Sequence, residues 1–265
     1  MDGRTEGRKD GMFGGRTQIV MGVVAGAIVL SVLPSFRRSV DIHSEYVKYV
    51  SGKDTITAYL AYPESPKPAP AVIVIHEIFG QSDFIKQTTE QLAKDGFVAI
   101  APDLLSRRGG TPASQDSARK LIATLNPDTI TMDLDATRNF LNKNKAVRAN
   151  EIGVIGFCWG GGQSFRYATN AAQLKAFVVC YGPAPNAADM AKIKARGLGV
   201  YAENDARIDA GLPDASAAMK AAGKDYPYTI YPGVGHGFLR TREKPEVADS
   251  AWNAIIRHFR ASLKS

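Results

Sequence analysis

Residues 152–162 read Ile152-Gly153-Val154-Ile155-Gly156-Phe157-Cys158-Trp159-Gly160-Gly161-Gly162. Ile152 to Phe157 has the make-up of a strand, and the glycine-rich turn after it opens a helix. The same alternation runs outward in both directions. Upstream, Ala71-Val72-Ile73-Val74-Ile75 is a continuous apolar run of the buried parallel-strand type. A helical stretch from about residue 84 to 94 and a strand from Phe97 to Ala101 follow it. Helical stretches over roughly 114–125 and 129–143 come next; in the second, Ile130, Leu134, Thr137 and Leu141 share a face. Downstream, Ala176 to Tyr181, Leu198 to Ala202 and Tyr228 to Tyr231 read as strands, with a helix near 212–222. The last helix carries Val247, Ala251, Trp252, Ile255, Ile256, Phe259 and Leu263 at three- and four-residue spacing, the pattern of an amphipathic helix.

The chain starts differently. Arg4, Arg8, Lys9 and Arg16 precede an apolar run from Ile19 to Leu33, and Pro34, Phe36, Arg37 and Arg38 follow it. Fifteen residues is short for a membrane span and fits the apolar region of a signal peptide. The flank after it is a poor cleavage site, so an uncleaved anchor is the second reading. Residues 1–40 are therefore expected to be a signal peptide or membrane-anchor segment, which places the protein in the periplasm or outside the cell, with membrane anchoring possible through that segment. Residues 41–265 are expected to be one domain. It begins with two strand-like runs, Glu45 to Val50 and Thr55 to Tyr62, around the hairpin turn Ser51-Gly52-Lys53-Asp54. A loop with four prolines, Pro63 to Pro70, comes next. Strands alternating with helices predict an α/β fold: a mostly parallel central sheet with helices on both faces.

Composition bounds the function. The chain has 265 residues, 45% hydrophobic and 22% charged, which excludes a disordered or low-complexity protein. Its two cysteines cannot form a disulfide framework. The formal charge is +7, but Lys and Arg are scattered, with no basic stripe interleaved with aromatics, so no nucleic-acid partner is expected. No Cys/His cluster has metal-ligand spacing, and neither metal nor cofactor is expected.

In parallel α/β sheets the chemistry gathers just beyond the carboxyl ends of the strands. Four such places stand out. Gly156-Phe157-Cys158-Trp159-Gly160 is G-x-C-x-G, a nucleophile elbow with Cys where Ser is usual. The sharp turn exposes the side chain, and the N-terminal N–H groups of the next helix favour the thiolate. A dinucleotide loop would need glycine at position 158. The second place, Gly235-His236-Gly237-Phe238, puts a histidine late in the chain, where a general base belongs in the order nucleophile, acid, histidine. His43, His76 and His258 are weaker candidates, and His76 is expected to support its loop. The third, Glu203-Asn204-Asp205, supplies the acid that orients the histidine; Asp205 is the first choice, with Glu203 and Asp209 behind it. The fourth, His76-Glu77-Ile78-Phe79-Gly80, is the expected oxyanion loop. The Ile78 and Trp159 amides are then the donors, and Glu77 is a carboxylate at the mouth of the site. Cys180 lies inside an apolar strand and reads as a core residue.

G-F-C-W-G-G, H-E-I-F-G, A-P-D-L, E-N-D and G-H-G-F together resemble the dienelactone hydrolase family, the carboxymethylenebutenolidases of the α/β-hydrolase fold, over roughly residues 45–262. The resemblance implies a Cys158, Asp205 and His236 triad cleaving a carboxylic ester or lactone through an acyl-enzyme. It implies that Glu77 contacts the resting thiol. It also implies a substrate carboxylate held by two arginines, at positions matched by Arg107 (with Arg108 beside it) and Arg240. The expected partner is thus a small-molecule ester or lactone, possibly anionic. Two other readings are thioesterase or acyl-transfer chemistry on the same scaffold, and a membrane-tethered binding protein without catalysis.

Overall fold

The computed structural model describes residues 40–264. It is an α/β domain built on one eight-stranded sheet. The strands are β1 (Ile42–Ser51), β2 (Asp54–Pro63), β3 (Ala69–Ile75), β4 (Val98–Pro102), β5 (Val147–Phe157), β6 (Ala176–Cys180), β7 (Arg196–Asn204) and β8 (Tyr228–Gly235). Their order is β1-β2-β4-β3-β5-β6-β7-β8. The β1–β2 and β2–β4 pairs are antiparallel, and every later pair is parallel. The helices are α1 (Asp83–Lys94), α2 (Gln115–Ile122), α3 (Pro127–Lys143), α4 (Trp159–Asn170), α5 (Ala187–Met190), α6 (Ala206–Asp209), α7 (Leu212–Ala221), α8 (Phe238–Thr241) and α9 (Pro245–Ser262).

Both faces of the sheet are covered, as continuous apolar strands require. Along β3, Ala71, Ile73 and Ile75 pack into a core with α3, α4 and α7, while Val72 and Val74 pack into a second core with α1 and α9. The two-residue period of the strand sorts the side chains between these layers. On α3, Ile130, Leu134, Thr137 and Leu141 are buried together, which is the face their spacing predicts. On α9, Ala251, Ile255, Ile256 and Phe259 are buried, as is Leu263 just past its end, while Val247 and Trp252 lie at the margin.

Two strands run longer than their apolar cores. β5 begins at Val147, because Val147 pairs with Ala69 of β3 ahead of an irregularity that ends at Ala71. β8 continues to Gly235, which pairs with Asn204 of β7, so the sheet itself delivers the chain to His236. The short helices α5, α6 and α8 carry too few residues to show a helical period. Of the expected signal or anchor segment, only Val40 is described. Among the described residues no helix is long and apolar enough to cross a membrane.

Candidate active site

The site lies at the carboxyl ends of β3, β5, β7 and β8. Cys158 sits between β5 and α4 with φ +56° and ψ −119°, a strained conformation for a residue with a side chain. Close approach of backbone creates this turn. A Cβ on Gly156 would lie 1.8 Å from the Gly160 carbonyl oxygen, and one on Gly160 would lie 2.4 Å from that of His76. The Cys158 N–H donates to the Cys180 carbonyl at 3.0 Å, tying the elbow to β6. The thiol is half-buried at the N-terminus of α4.

His236 follows β8. Its Nδ1 makes a short hydrogen bond to Asp205 Oδ2 at the end of β7. Asp205 is buried, whereas the His236 side chain is about a third exposed, at 31%. The imidazole pKa is raised to about 9, first by its hydrogen bond with Cys158 and then by Asp205, against the opposing effect of burial. The two other acids have different surroundings. Glu203 accepts from the Gly233 N–H at 2.7 Å, and burial together with the Asp205 charge raises the pKa of Asp209.

The β3 loop brings Glu77, Ile78 and Phe79 to the same end of the sheet. Ile78 takes no part in the loop and turn backbone hydrogen bonds of the described residues, and Trp159, first in α4, has no intrahelical acceptor for its N–H. His76 braces the loop. Its ring is fully buried and stacks on Trp159 at 5.5 Å. Nε2 accepts from the Leu104 N–H at 3.3 Å, so Nδ1 carries the proton and donates to the Glu77 carbonyl at 2.8 Å. Burial lowers the His76 pKa and keeps the ring neutral.

Glu77 is almost wholly buried. Arg240 Nε lies 2.9 Å from its Oε2, a charge pair without the alignment of a hydrogen bond. Burial raises the Glu77 pKa, while the Arg240 and His236 charges work the other way.

Arg107 is not brought into this group. Its Nε and Nη2 bind the Asp133 carboxylate, Nη2 also donates to the Ser51 carbonyl at 2.8 Å, and Nη1 pairs with Asp54. These partners lie on α3 and the β1–β2 turn. Its guanidinium neutralises Asp133, a carboxylate only 2% exposed that would otherwise be buried as a bare charge. Arg108, beside it, is exposed.

Two residues escaped the sequence reading. Tyr181, immediately after β6, has φ +41°, its ring meets His236 edge-on at 5.1 Å, and its buried hydroxyl has no partner. Its position one residue beyond a strand was the available signal. Arg119 of α2 lies with its guanidinium 5.1 Å from the centre of the Phe79 ring, which nothing in its local sequence marks.

A parallel sheet whose strand-to-helix elbow presents a half-buried thiol beside a carboxylate-bound histidine defines an α/β hydrolase. The comparisons take this further. The sequence profile of the Dienelactone hydrolase family matches residues 56–263, and the chain belongs to that family. It is 33% identical over 255 residues to a Saccharolobus solfataricus protein named as a carboxymethylenebutenolidase, covering 82% of this chain and 98% of the relative. A Methylorubrum extorquens protein of the same name is 32% identical, with 81% of this chain and 79% of the relative covered. A Klebsiella pneumoniae crystal structure titled as a dienelactone hydrolase superposes with a TM-score of 0.76 at 28% identity, covering 83% of this chain and 98% of that one. These place the protein among the ester- and lactone-cleaving hydrolases of the family.

Two outcomes follow from this geometry. Removing Arg107 leaves Asp133 as an uncompensated buried charge, so Arg107→Ala should destabilise the fold by roughly 3 kcal/mol in urea unfolding. The His236 resonance should titrate near pH 9 in histidine-labelled NMR. Imidazolium is thus the resting form at neutral pH, and Cys158→Ala, which removes the largest upward influence, should move the midpoint down toward 6.5.

Proposed function

We propose that the protein hydrolyses a carboxylic ester or lactone with Cys158 as nucleophile, His236 as acid and base, and Asp205 as its orienting carboxylate. The observation that supports this reading is the His236 ring, held by Asp205 through Nδ1 and raised in pKa most of all by the neighbouring Cys158 thiol. His236 rests as imidazolium, and Asp205 stabilises its charge. The Cys158 thiolate attacks the carbonyl carbon. The Ile78 and Trp159 N–H groups donate to the oxyanion that forms; one such donor is worth about 3–4 kcal/mol when well aimed. The tetrahedral intermediate collapses, the carbon–oxygen bond of the ester breaks, and His236 gives its proton to the leaving oxygen. His236, now neutral, takes a proton from water, whose oxygen attacks the thioester. Collapse of the second intermediate releases the acid and the thiolate.

Glu77 adds a control. Placed between Arg240 and the cysteine–histidine pair, its negative charge favours imidazolium and disfavours thiolate. An anionic substrate competing for Arg240 shifts that balance, so binding and thiol activation are coupled through one ion pair.

Turnover of a dienelactone and of a neutral aryl ester by the full chain tests the assignment. Cys158→Ala should lower kcat by at least ~10⁴-fold on both, as loss of a nucleophile does. Hydrolysis surviving the change would remove Cys158 from the mechanism. Preference for an acyl thioester over both would favour thioesterase chemistry, and tight binding without turnover would favour the tethered binding protein.

For residues 1–40 the proposal is export, with that segment either cleaved or kept as a membrane anchor. A carboxyl-terminally tagged chain should fractionate with the periplasm or the membrane; a full-length, cytosolic product would sink this reading.

A further inference from the structure

The end of the sheet opposite the thiol carries a different balance of charge. Lys67 precedes β3, Lys145 precedes β5, Lys175 precedes β6 and Arg196 opens β7, while Arg260 and Lys264 stand at the end of α9. All six are exposed. These four strands run parallel, so the residues before them share the amino-terminal pole of the sheet. The end of α9 joins them there, because Arg196 donates to the Ala261 carbonyl at 3.1 Å.

Beside the nucleophile, Arg107 and Arg240 are matched by carboxylates. At the far pole the arginines take backbone oxygen instead. Arg148 donates to the Lys264 and Pro68 carbonyls, and Arg260 to that of Asp95. Arg260 also lies 3.8 Å from Asp95 Oδ1. Among the described residues no carboxylate lies within 4 Å of the Lys67, Lys145 or Lys175 ammonium group. Glu64, Asp95 and Glu151 offset only part of the charge of this pole. Lys67, Arg148 and Arg260 border a cleft of about 370 Å³ together with Pro68, Phe97 and Asp95, which is room enough for a phosphate headgroup.

The chain enters the domain at this same pole. Ile42 of β1 pairs with Pro63 at the end of β2, and β2 runs antiparallel to β4, so β1 begins where the parallel strands begin. Arg37 and Arg38 stand just ahead of it, with the same sign of charge. Residues 34–39 are all that separates the apolar run ending at Leu33 from Val40. Fully extended, such a link spans about 20 Å. An apolar run seated in a bilayer therefore keeps the basic pole near the lipid headgroups, where attraction screened over about 8 Å still acts.

We propose that the amino-terminal pole of the sheet is a docking face for an anionic phospholipid surface. Docked there, the domain turns the carboxyl ends of its strands, and with them Cys158, away from the bilayer. The orientation rests on the anchor reading of residues 1–40, whereas the lipid affinity of the face does not.

Co-sedimentation with vesicles tests the two separately. One set is pure phosphatidylcholine and the other equal parts phosphatidylcholine and phosphatidylglycerol. The full chain is compared with the full chain carrying Val24→Asp and Val29→Asp, which break the apolar run. The broken-run chain should bind the phosphatidylglycerol vesicles only and should be released by added salt. Adding Lys67→Gln, Lys145→Gln and Lys175→Gln to it should weaken that binding by about 100-fold, since each basic residue at an anionic surface is worth about fivefold. Turnover of the neutral aryl ester should stay within about twofold of the parent chain. Removing the same charge at the other end of the sheet, with Lys53→Gln, Lys120→Gln and Lys244→Gln, should change vesicle binding by less than about threefold. No binding of the broken-run chain to phosphatidylglycerol, or an equal loss in both triple variants, would overturn the docking face. A full chain that binds phosphatidylcholine no better than the broken-run chain would defeat the anchor reading and leave the docking face standing.

Discussion

Everything at the top of this sheet depends on how closely β5 and α4 approach one another. The carbonyl oxygen of Gly160 lies where any side chain at Gly156 would begin, and the His76 carbonyl lies where one at Gly160 would begin. Only hydrogen atoms fit these gaps. The contact holds Cys158 at positive φ and brings the start of α4 against the β3 loop. The thiol, the Trp159 amide and the loop bearing Glu77 are therefore set by one steric constraint rather than by separate devices. The strain at Cys158 persists because two layers of packed helices and a hydrogen bond to the next strand surround it.

Around this turn, electrostatics divides the labour between two buried carboxylates. Asp133 is neutralised on the spot by Arg107, within a network that also holds Ser51 and Tyr49 through Thr137. That network joins the first hairpin to α3 and engages all three guanidinium nitrogens of its arginine. Glu77 is held less completely: Arg240 meets it edgewise, and its carboxyl remains sensitive to its neighbours. A fully satisfied pair is a structural fixture, and an incompletely satisfied one responds to what binds beside it.

Backbone geometry was legible in the sequence because it depends on local patterns. Apolar runs bounded by glycine located the strands, and the residues following them located Cys158, Asp205, His236 and Glu77. Side-chain direction was not legible. Arg107 and Arg119 are both arginines shortly after β4, and only the fold reveals that one turns to Asp133 and the other to Phe79. Tyr181 was hidden for a related reason: an aromatic residue in an apolar run reads as core until its φ and its unpaired hydroxyl are seen.

Tyr181 also sets a limit on how sturdy this protein becomes. A left-handed backbone and a desolvated, unpaired phenol are both costs to the folded state, and both sit against the imidazole. Heat-resistance selection applied without regard to turnover would relax this position early, since removing the hydroxyl relieves one of those costs at once. The carboxyl end of β6 is thus where the fold carries two local costs directly against the imidazole.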